Sequence, residues 1–329
     1  METSTLPRPP YDVELISIIP SPPKTAFAHK REDIPEHRQF FELVTEPERE
    51  RTLSDPSISV TEQTIQGPHG DIALSILASK KPKNASGIFH RPGILHIHAG
   101  GLTAGNRFTG ADLVVEWVRE LDAVAVLVEY GRPPEHPFPG PLQDCYTSLL
   151  WMVKHADELG IDVEKLMVEG QSAGGGLAAA TVLMARDKGG PKLHAQLIGV
   201  PMLDDRMSSI SCQQYPTGGT WNAQASAFSW QCYLGDDAGQ EGVSYLASPG
   251  RATDLSGLPP AYIDVSSTEA FRDEAVGYAT KLWASGVQAE LHVWPGGPHA
   301  FDVMAPTAAL SQLSNKTRTA WVKRTLGRW

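Results

Sequence analysis

The chain has little cysteine, no long apolar run and no surplus of positive charge. Its 329 residues carry three cysteines, Cys145, Cys212 and Cys232, an odd number at wide spacing. That excludes a disulfide framework and fits free thiols in a reducing compartment, so a cytoplasmic location is expected. The longest apolar runs, such as "AVAVLV" at 123–128, are strand-sized and too short to span a bilayer. The opening residues "METSTLPRPPYDVE" lack a basic segment followed by an apolar one, and the final "LGRW" matches no lipidation or peroxisomal tail. Neither a secretory signal nor a membrane partner is therefore expected. Lys and Arg total 28 against 38 Asp and Glu, a formal net charge of −10. Phosphate recognition needs a basic footprint, so no nucleic-acid partner is expected either. Internal repeats and low-complexity tracts are lacking too.

What is present is an alternation of short β-branched runs with helical patterns from about residue 58 onward. "SISVTEQTI" (57–65) and "DIALSILAS" (71–79) flank the turn "QGPHG" and read as an antiparallel hairpin. Strands are expected at 93–99, 123–130, 166–170, 194–200, 260–266 and 289–295, and helices at 110–121, 140–159, 173–189, 272–286 and 307–326. Such alternation implies an α/β fold with a mostly parallel sheet covered on both faces. Ligands of such sheets bind beyond the carboxyl ends of the strands, so the loops after strands carry the information.

Two segments break the alternation. Residues 1–56 are rich in proline and charge, with a short helical pattern in "PEHRQFFELV". Residues 203–257 interrupt two core strands and carry Tyr215, Trp221, Phe228, Trp230 and Tyr233. Aromatic content argues against disorder, and a loop this long inside a domain is usually functional. Both segments are expected to form a cap region, with 57–202 and 258–329 as the catalytic core.

The chemistry centres on "EGQSAGGG" (169–176). "G-Q-S-A-G" fits G-x-S-x-G, a strand-to-helix turn so tight that the serine takes strained angles while Gly170 and Gly174 let the chain pass close to itself. Ser172 would project at the positive end of the following helix. A phosphate cradle is the alternative, but no Lys-Ser/Thr follows the glycines and G-x-G-x-x-G is not matched. A serine nucleophile needs a base, an orienting acid and donors for an oxyanion. "HIHAGG" (96–101) offers the N–H groups of Gly100 and Gly101 beside that of Ala173. His96 and His98 share a strand face, yet no carboxylate or thiol cluster accompanies them, so a structural role for His96 outweighs a metal site. His299 lies in "WPGGPHAFD" after the last strand, where the base belongs. For the acid, Asp264 lies within a strand and Asp273 opens a helix, whereas Glu269 sits in the loop between them and is favoured.

Together these motifs resemble the hormone-sensitive-lipase-like esterases of the α/β-hydrolase fold, from about residue 58 onward. "HAGG" (98–101) is similar to that family's His-Gly-Gly-Gly, "EYGRPPEHPFPGPLQD" (129–144) to its Tyr-Arg-Leu-Ala-Pro-Glu-His-Pro-Phe-Pro segment, and "GQSAGGGLA" (170–178) to Gly-Asp-Ser-Ala-Gly-Gly. "EAFRDEAVGYATKLWASGV" (269–287) is similar to its Asp-Pro-Leu-Arg-Asp-Glu segment, and "GGPHAF" (296–301) to its histidine loop. The resemblance implies an eight-stranded, mostly parallel sheet flanked by helices with a helical cap. It places catalytic serine, acid and histidine on Ser172, Glu269 and His299, and oxyanion donors on Gly100, Gly101 and Ala173. It implies hydrolysis of a small or medium apolar ester or lactone through an acyl-enzyme, with no metal or organic cofactor. Aromatic residues Phe41, Tyr215, Trp221 and Phe228 are the expected substrate pocket. Three positions depart from the family: Ala99 for a glycine, Gln171 for an acid and Glu269 for an aspartate. A lyase or dehydratase, or a non-catalytic receptor, on the same fold are the rival readings; the presence of His299 argues against the receptor. Trp321, Leu326 and Trp329 leave the C-terminal helix with spare apolar residues, which would suit a homodimer or the chain's own core.

Overall fold

The computed structural model describes residues 6–19, 21–81 and 91–327. The hairpin around "QGPHG" is present as β1 (Ile58–Gly67) and β2 (Gly70–Ser79), antiparallel in a register that pairs Ile58 with Ser79 and Gly67 with Gly70. β2 also runs antiparallel to β4 (Val124–Glu129). The remaining strands are parallel: β3 (Arg91–Ile97), β5 (Ile161–Gln171), β6 (Ala195–Gly199), β7 (Ala261–Ser266) and β8 (Ala289–Trp294). The sheet has eight strands in the order β1-β2-β4-β3-β5-β6-β7-β8. β3 and β4 are buried along nearly their whole length, as strands covered on both faces must be.

Helices cover the two faces as the alternation requires. On one side lie α4 (Gly140–Lys154), α6 (Ala173–Asp187) and α9 (Arg272–Ala284), sending Leu149, Leu177 and Leu282 into the larger core. On the other lie α3 (Asp112–Leu121) and α11 (Ala309–Leu326), which pack Trp117 and Val118 against Trp321, Val322 and Leu326. The Trp117 indole N–H donates to Thr319 Oγ1 at 3.0 Å and ties these two helices. Truncating such a side chain to alanine costs on the order of 3–5 kcal/mol. Trp321 and Leu326 are thus spent on the chain's own core; Trp329 lies outside the described residues. A short α5 (Ala156–Leu159) leads into β5, and α10 (Phe301–Met304) follows the loop after β8.

The two segments outside the alternation pack on the core and on each other. In the first, α1 (Val13–Ile18) is capped by Asp12 and buries Leu15 among Trp294, Phe301, Ala305 and Ala308. The Asp12 N–H donates to the Gly296 carbonyl at 2.9 Å, beside the loop that carries His299. α2 (Ile34–Ser54) is twice the length its sequence pattern indicates and continues through Pro47. It is held by tertiary partners: Glu48 accepts from the N–H groups of Gly110 and Asp112, and Arg38 Nε donates to the Thr103 carbonyl. In the second segment, α7 (Ile210–Gln214) and α8 (Ala223–Leu234) are capped by Ser209 and Asn222. Phe228 and Cys232 of α8 pack against Ala28 and Ile34, joining the segments. Among the described residues no helix is long and apolar enough to cross a membrane.

Candidate active site

The turn between β5 and α6 holds Ser172 at φ 56°, ψ −122°, a conformation a side chain adopts only under constraint. It costs on the order of 1–3 kcal/mol and persists because its surroundings over-determine it. The Ser172 N–H donates to the Gly199 carbonyl at 2.9 Å, and its carbonyl accepts from Met202 at 3.0 Å and Gly176 at 3.1 Å. The flanking glycines are sterically required. A Cβ on Gly174 would lie 2.1 Å from the Ile97 carbonyl oxygen, and one on Gly170 2.4 Å from that of Gly174. α6 can approach β3 and β5 this closely because its first turns are glycine and alanine.

The loop after β8 brings His299 to this serine. Nε2 of His299 lies 2.9 Å from Ser172 Oγ, although 127 residues separate them. Its Nδ1 hydrogen-bonds to Glu269 Oε2. The second carboxylate oxygen of Glu269 accepts from the Ser266 N–H at 2.6 Å, so both oxygens are fixed. All three side chains are buried. The loop itself is held by Thr220, whose hydroxyl donates to the His299 carbonyl at 2.5 Å, and by Thr268, which donates to that of Gly297 at 2.6 Å. Phe271 presents an edge-to-face ring 5.2 Å from His299.

The loop after β3 starts against the first turn of α6, where a Cβ on Gly174 would lie 2.5 Å from the His98 carbonyl oxygen. Gly100 at φ 126° and Gly101 at φ 58° occupy left-handed backbone regions, and the Ala104 N–H donates to the Gly100 carbonyl at 2.9 Å. The N–H groups of Gly100 and Gly101 have no acceptor among the described residues. Ala173 opens α6, so its N–H has no acceptor within the helix. Two unengaged N–H groups thus lie in the turn after β3 and a third at the first position of α6, directly after Ser172.

The other candidate residues separate clearly. Trp221 stands at the site: its indole covers Gly101, where a Cβ would meet the ring at 2.3 Å, and its centroid is 6.4 Å from that of His299. Its Nε1–H donates to Ser226 at 2.8 Å, which fixes the ring. Phe41 reaches this cluster only through His37, 5.0 Å away, whose ring is 6.3 Å from Trp221. Tyr215 packs with Cys212 and Ala270 behind Glu269, and Phe228 fills the seam between α8 and the N-terminal segment. The alternative acids are engaged elsewhere: both oxygens of Asp264 accept from Arg318, and Asp273 accepts from Arg272 Nε and the Ser211 N–H. His96 is held between Glu169 and the Thr109 carbonyl, and His98 stacks on Tyr130 at 4.0 Å with its Nδ1 on the Ala99 carbonyl. No group of metal-ligating side chains is assembled among the described residues.

Gln171 now has a physical context. A Cβ on Gly199 would touch Gln171 Cγ at 3.2 Å, Asp264 Oδ1 at 3.3 Å and Arg318 Nη2 at 3.6 Å, so all three surround one glycine. Arg318 there already balances two buried carboxylates, Asp264 and Asp302. A neutral amide at 171 avoids adding a third anion against one guanidinium. His37 and Thr220 are contributors that sequence reading missed. A lone histidine on a mostly polar helix and a threonine in a glycine-rich loop carry no pattern that singles them out.

Comparison with known proteins agrees with this architecture. Residues 94–303 match the family model of the alpha/beta hydrolase fold. The chain is 30% identical over 321 residues to the carboxylesterase NlhH of Mycobacterium tuberculosis, covering 94% of this chain and 95% of that one. It is 32% identical over 237 residues to the esterase LipI of the same organism, covering 72% and 73%. The solved structure of a bacterial heroin esterase superposes with a TM-score of 0.87 at 34% identity, covering 96% of this chain and 98% of that one. The chain therefore belongs to the hormone-sensitive-lipase-like branch of the alpha/beta hydrolase fold, and it is a carboxylic ester hydrolase.

Proposed function

We propose that Ser172 is the nucleophile of a two-step ester hydrolysis. Its Oγ attacks the ester carbonyl carbon while His299 Nε2 takes the hydroxyl proton. Glu269 holds the ring through Nδ1 and stabilises the imidazolium. The N–H groups of Gly100, Gly101 and Ala173 receive the negative charge on the carbonyl oxygen, each donor lowering the barrier by on the order of 3 kcal/mol. The tetrahedral intermediate collapses to an acyl-enzyme as His299 returns its proton to the departing alkoxide. Water, deprotonated by the same nitrogen, then releases the acid and restores Ser172. Residues 6–56 and 203–257 act as a cap that excludes bulk water, with Trp221 as its wall over the oxyanion donors.

The observation that carries this reading is one imidazole bridging a strained serine hydroxyl and a buried carboxylate. The test is covalent labelling with a fluorophosphonate, with the modified peptide identified by mass spectrometry. The label is expected on Ser172 and to abolish ester turnover; a label elsewhere, or full turnover after Ser172 is labelled, would sink the assignment.

A further inference from the structure

The turn that carries Gly100 and Gly101 is gripped from outside by two guanidinium groups. Within it, the Ala104 N–H closes back on the Gly100 carbonyl at 2.9 Å, and a Cβ on Gly100 would lie 2.0 Å from the Ala104 carbonyl oxygen. A unit packed this closely shifts as one piece. From outside, Arg132 Nη1 donates to the Gly105 carbonyl, and Arg38 Nε donates to the Thr103 carbonyl at 2.9 Å. Arg132 lies in the loop after β4, whereas Arg38 lies on α2 of the N-terminal segment.

We infer that Arg38 is a positioning residue for ester hydrolysis, fixing the donors of the Gly100–Gly101 turn from the capping segment; this rests on those N–H groups receiving the carbonyl charge. Arg38 suits the role because it is itself immobilised. Its Nη1 and Nη2 donate to the two oxygens of Glu135 at 2.9 and 2.6 Å, and Nη2 also donates to the Pro133 carbonyl at 3.2 Å. The guanidinium plane is thereby locked with Nε aimed at Thr103, a geometry that a lysine ammonium does not reproduce. The preceding residue reaches the same turn by another route. The His37 ring is 6.3 Å from that of Trp221, whose indole covers Gly101. Seating α2 therefore sets the turn at two points, Thr103 and Gly101.

Exposure separates this role from merely holding the fold together. The side chains of Arg38 and Glu135 are 28% and 55% exposed, and ion pairs so placed add little to stability. Donor placement is far more demanding: a shift of about 1 Å can cost about 100-fold in rate. Acylation and deacylation both pass through an oxyanion, so a loosened turn lowers kcat and kcat/KM together and leaves KM unchanged. Loss of a contact to the substrate itself would raise KM instead.

The test is turnover of p-nitrophenyl acetate by the full chain, paired with inhibition by phenylboronic acid, whose tetrahedral anionic adduct on a serine Oγ calls on the same donors. Arg38→Met, which keeps the apolar stem, is expected to lower kcat about 10- to 100-fold with KM within about threefold, and to weaken phenylboronic acid by about tenfold or more. Arg38→Lys keeps a charge beside Glu135 but loses the Nε donor, so it should show both losses even if Arg38→Met fails to fold. Arg51, on the same helix, donates to Asp112 of α3 at 2.6 Å and does not touch the turn. Arg51→Met should keep kcat within about twofold. Wild-type kcat in the Arg38 variants, a raised KM at constant kcat, or reduced turnover with phenylboronic acid binding unchanged overturns the role of Arg38 alone. Equal damage from Arg51→Met does the same, since any loosening of α2 would then suffice. Ester turnover that survives Ser172→Ala overturns the underlying reading of the site instead.

Discussion

Two buried histidine–glutamate pairs stand on the same sheet, and comparing them separates what an acid does to a histidine from what makes a site. In each, a carboxylate meets Nδ1: Glu269 on His299, and Glu169 on His96. The difference lies at Nε2. For His299 the partner is the Ser172 hydroxyl, which has a proton to give. For His96 it is the Thr109 carbonyl at 3.2 Å, which only accepts. His96 Nε2 must therefore carry its own proton and has nothing to take. Burial works against a charge on His96, but Glu169 and the more distant Glu48 outweigh it and raise its pKa. The His96 pair is a structural contact joining β3 to β5; the His299 pair has an open chemical end.

The sharpest way to break this comparison is to remove the hydroxyl. Ser172→Ala is expected to lower kcat/KM for p-nitrophenyl acetate by about 10⁴-fold or more with the thermal midpoint preserved, because the acyl-enzyme route is lost. Next come the two acids, exchanged for their amides. Glu269→Gln should lower kcat by about 10³- to 10⁴-fold, since an amide neither fixes the tautomer nor stabilises the imidazolium. Glu169→Gln should leave kcat/KM within about threefold. If Glu169→Gln proved as damaging to turnover as Glu269→Gln, the distinction drawn at Nε2 would be wrong. Its effect should appear in stability instead: removing one partner of a buried hydrogen-bonded pair costs about 1–3 kcal/mol, read as a lower urea midpoint.

The same contrast explains how much was legible beforehand. The sheet announced itself because each strand is a short β-branched run and each covering helix has its own period, so thirteen elements fall within a few residues of expectation, apart from an earlier start to β5. Ser172, Glu269 and His299 were legible because tight backbone turns demand glycine in recognisable spacing and because loop position after a strand is fixed by topology. The capping segments were not legible in detail. α2 runs to Ser54 through Pro47 because Glu48 and Arg38 find partners on the loop after β3, a tertiary cause that local propensity does not contain. Phe41, Tyr215, Trp221 and Phe228 were grouped only by being aromatic in a loop; depth and direction are set by packing, and Trp221 alone of them meets both Gly101 and His299. Gln171 needed the Arg318 cluster, whose members are Asp264, Asp302 and a residue on the last helix.

A third buried histidine, without any acid, completes the comparison. His37 on α2 is fully buried between Phe41 and Trp221, and neither ring nitrogen makes a hydrogen bond of good geometry among the described residues. Burial drives its pKa down to about 4; the nearby carbonyls of Thr25 and Ala26 pull upward, and Arg38 and His29 add to the lowering. Between this value and the ordinary 6.5 the unfolded chain binds a proton that the folded chain refuses. This contribution is therefore complete above pH 6.5 and is lost as pH falls toward 4. From pH 7 to pH 5 the loss amounts to about 2 kcal/mol. His37→Phe keeps the aromatic contact and removes the titration, so urea midpoints of this variant should fall by that much less over the same interval. An identical decline in both proteins would mean that His37 is hydrated or paired in solution. A smaller decline in the variant would show that burial alone lowers a histidine here, and that the acid beside His96 is what reverses the sign.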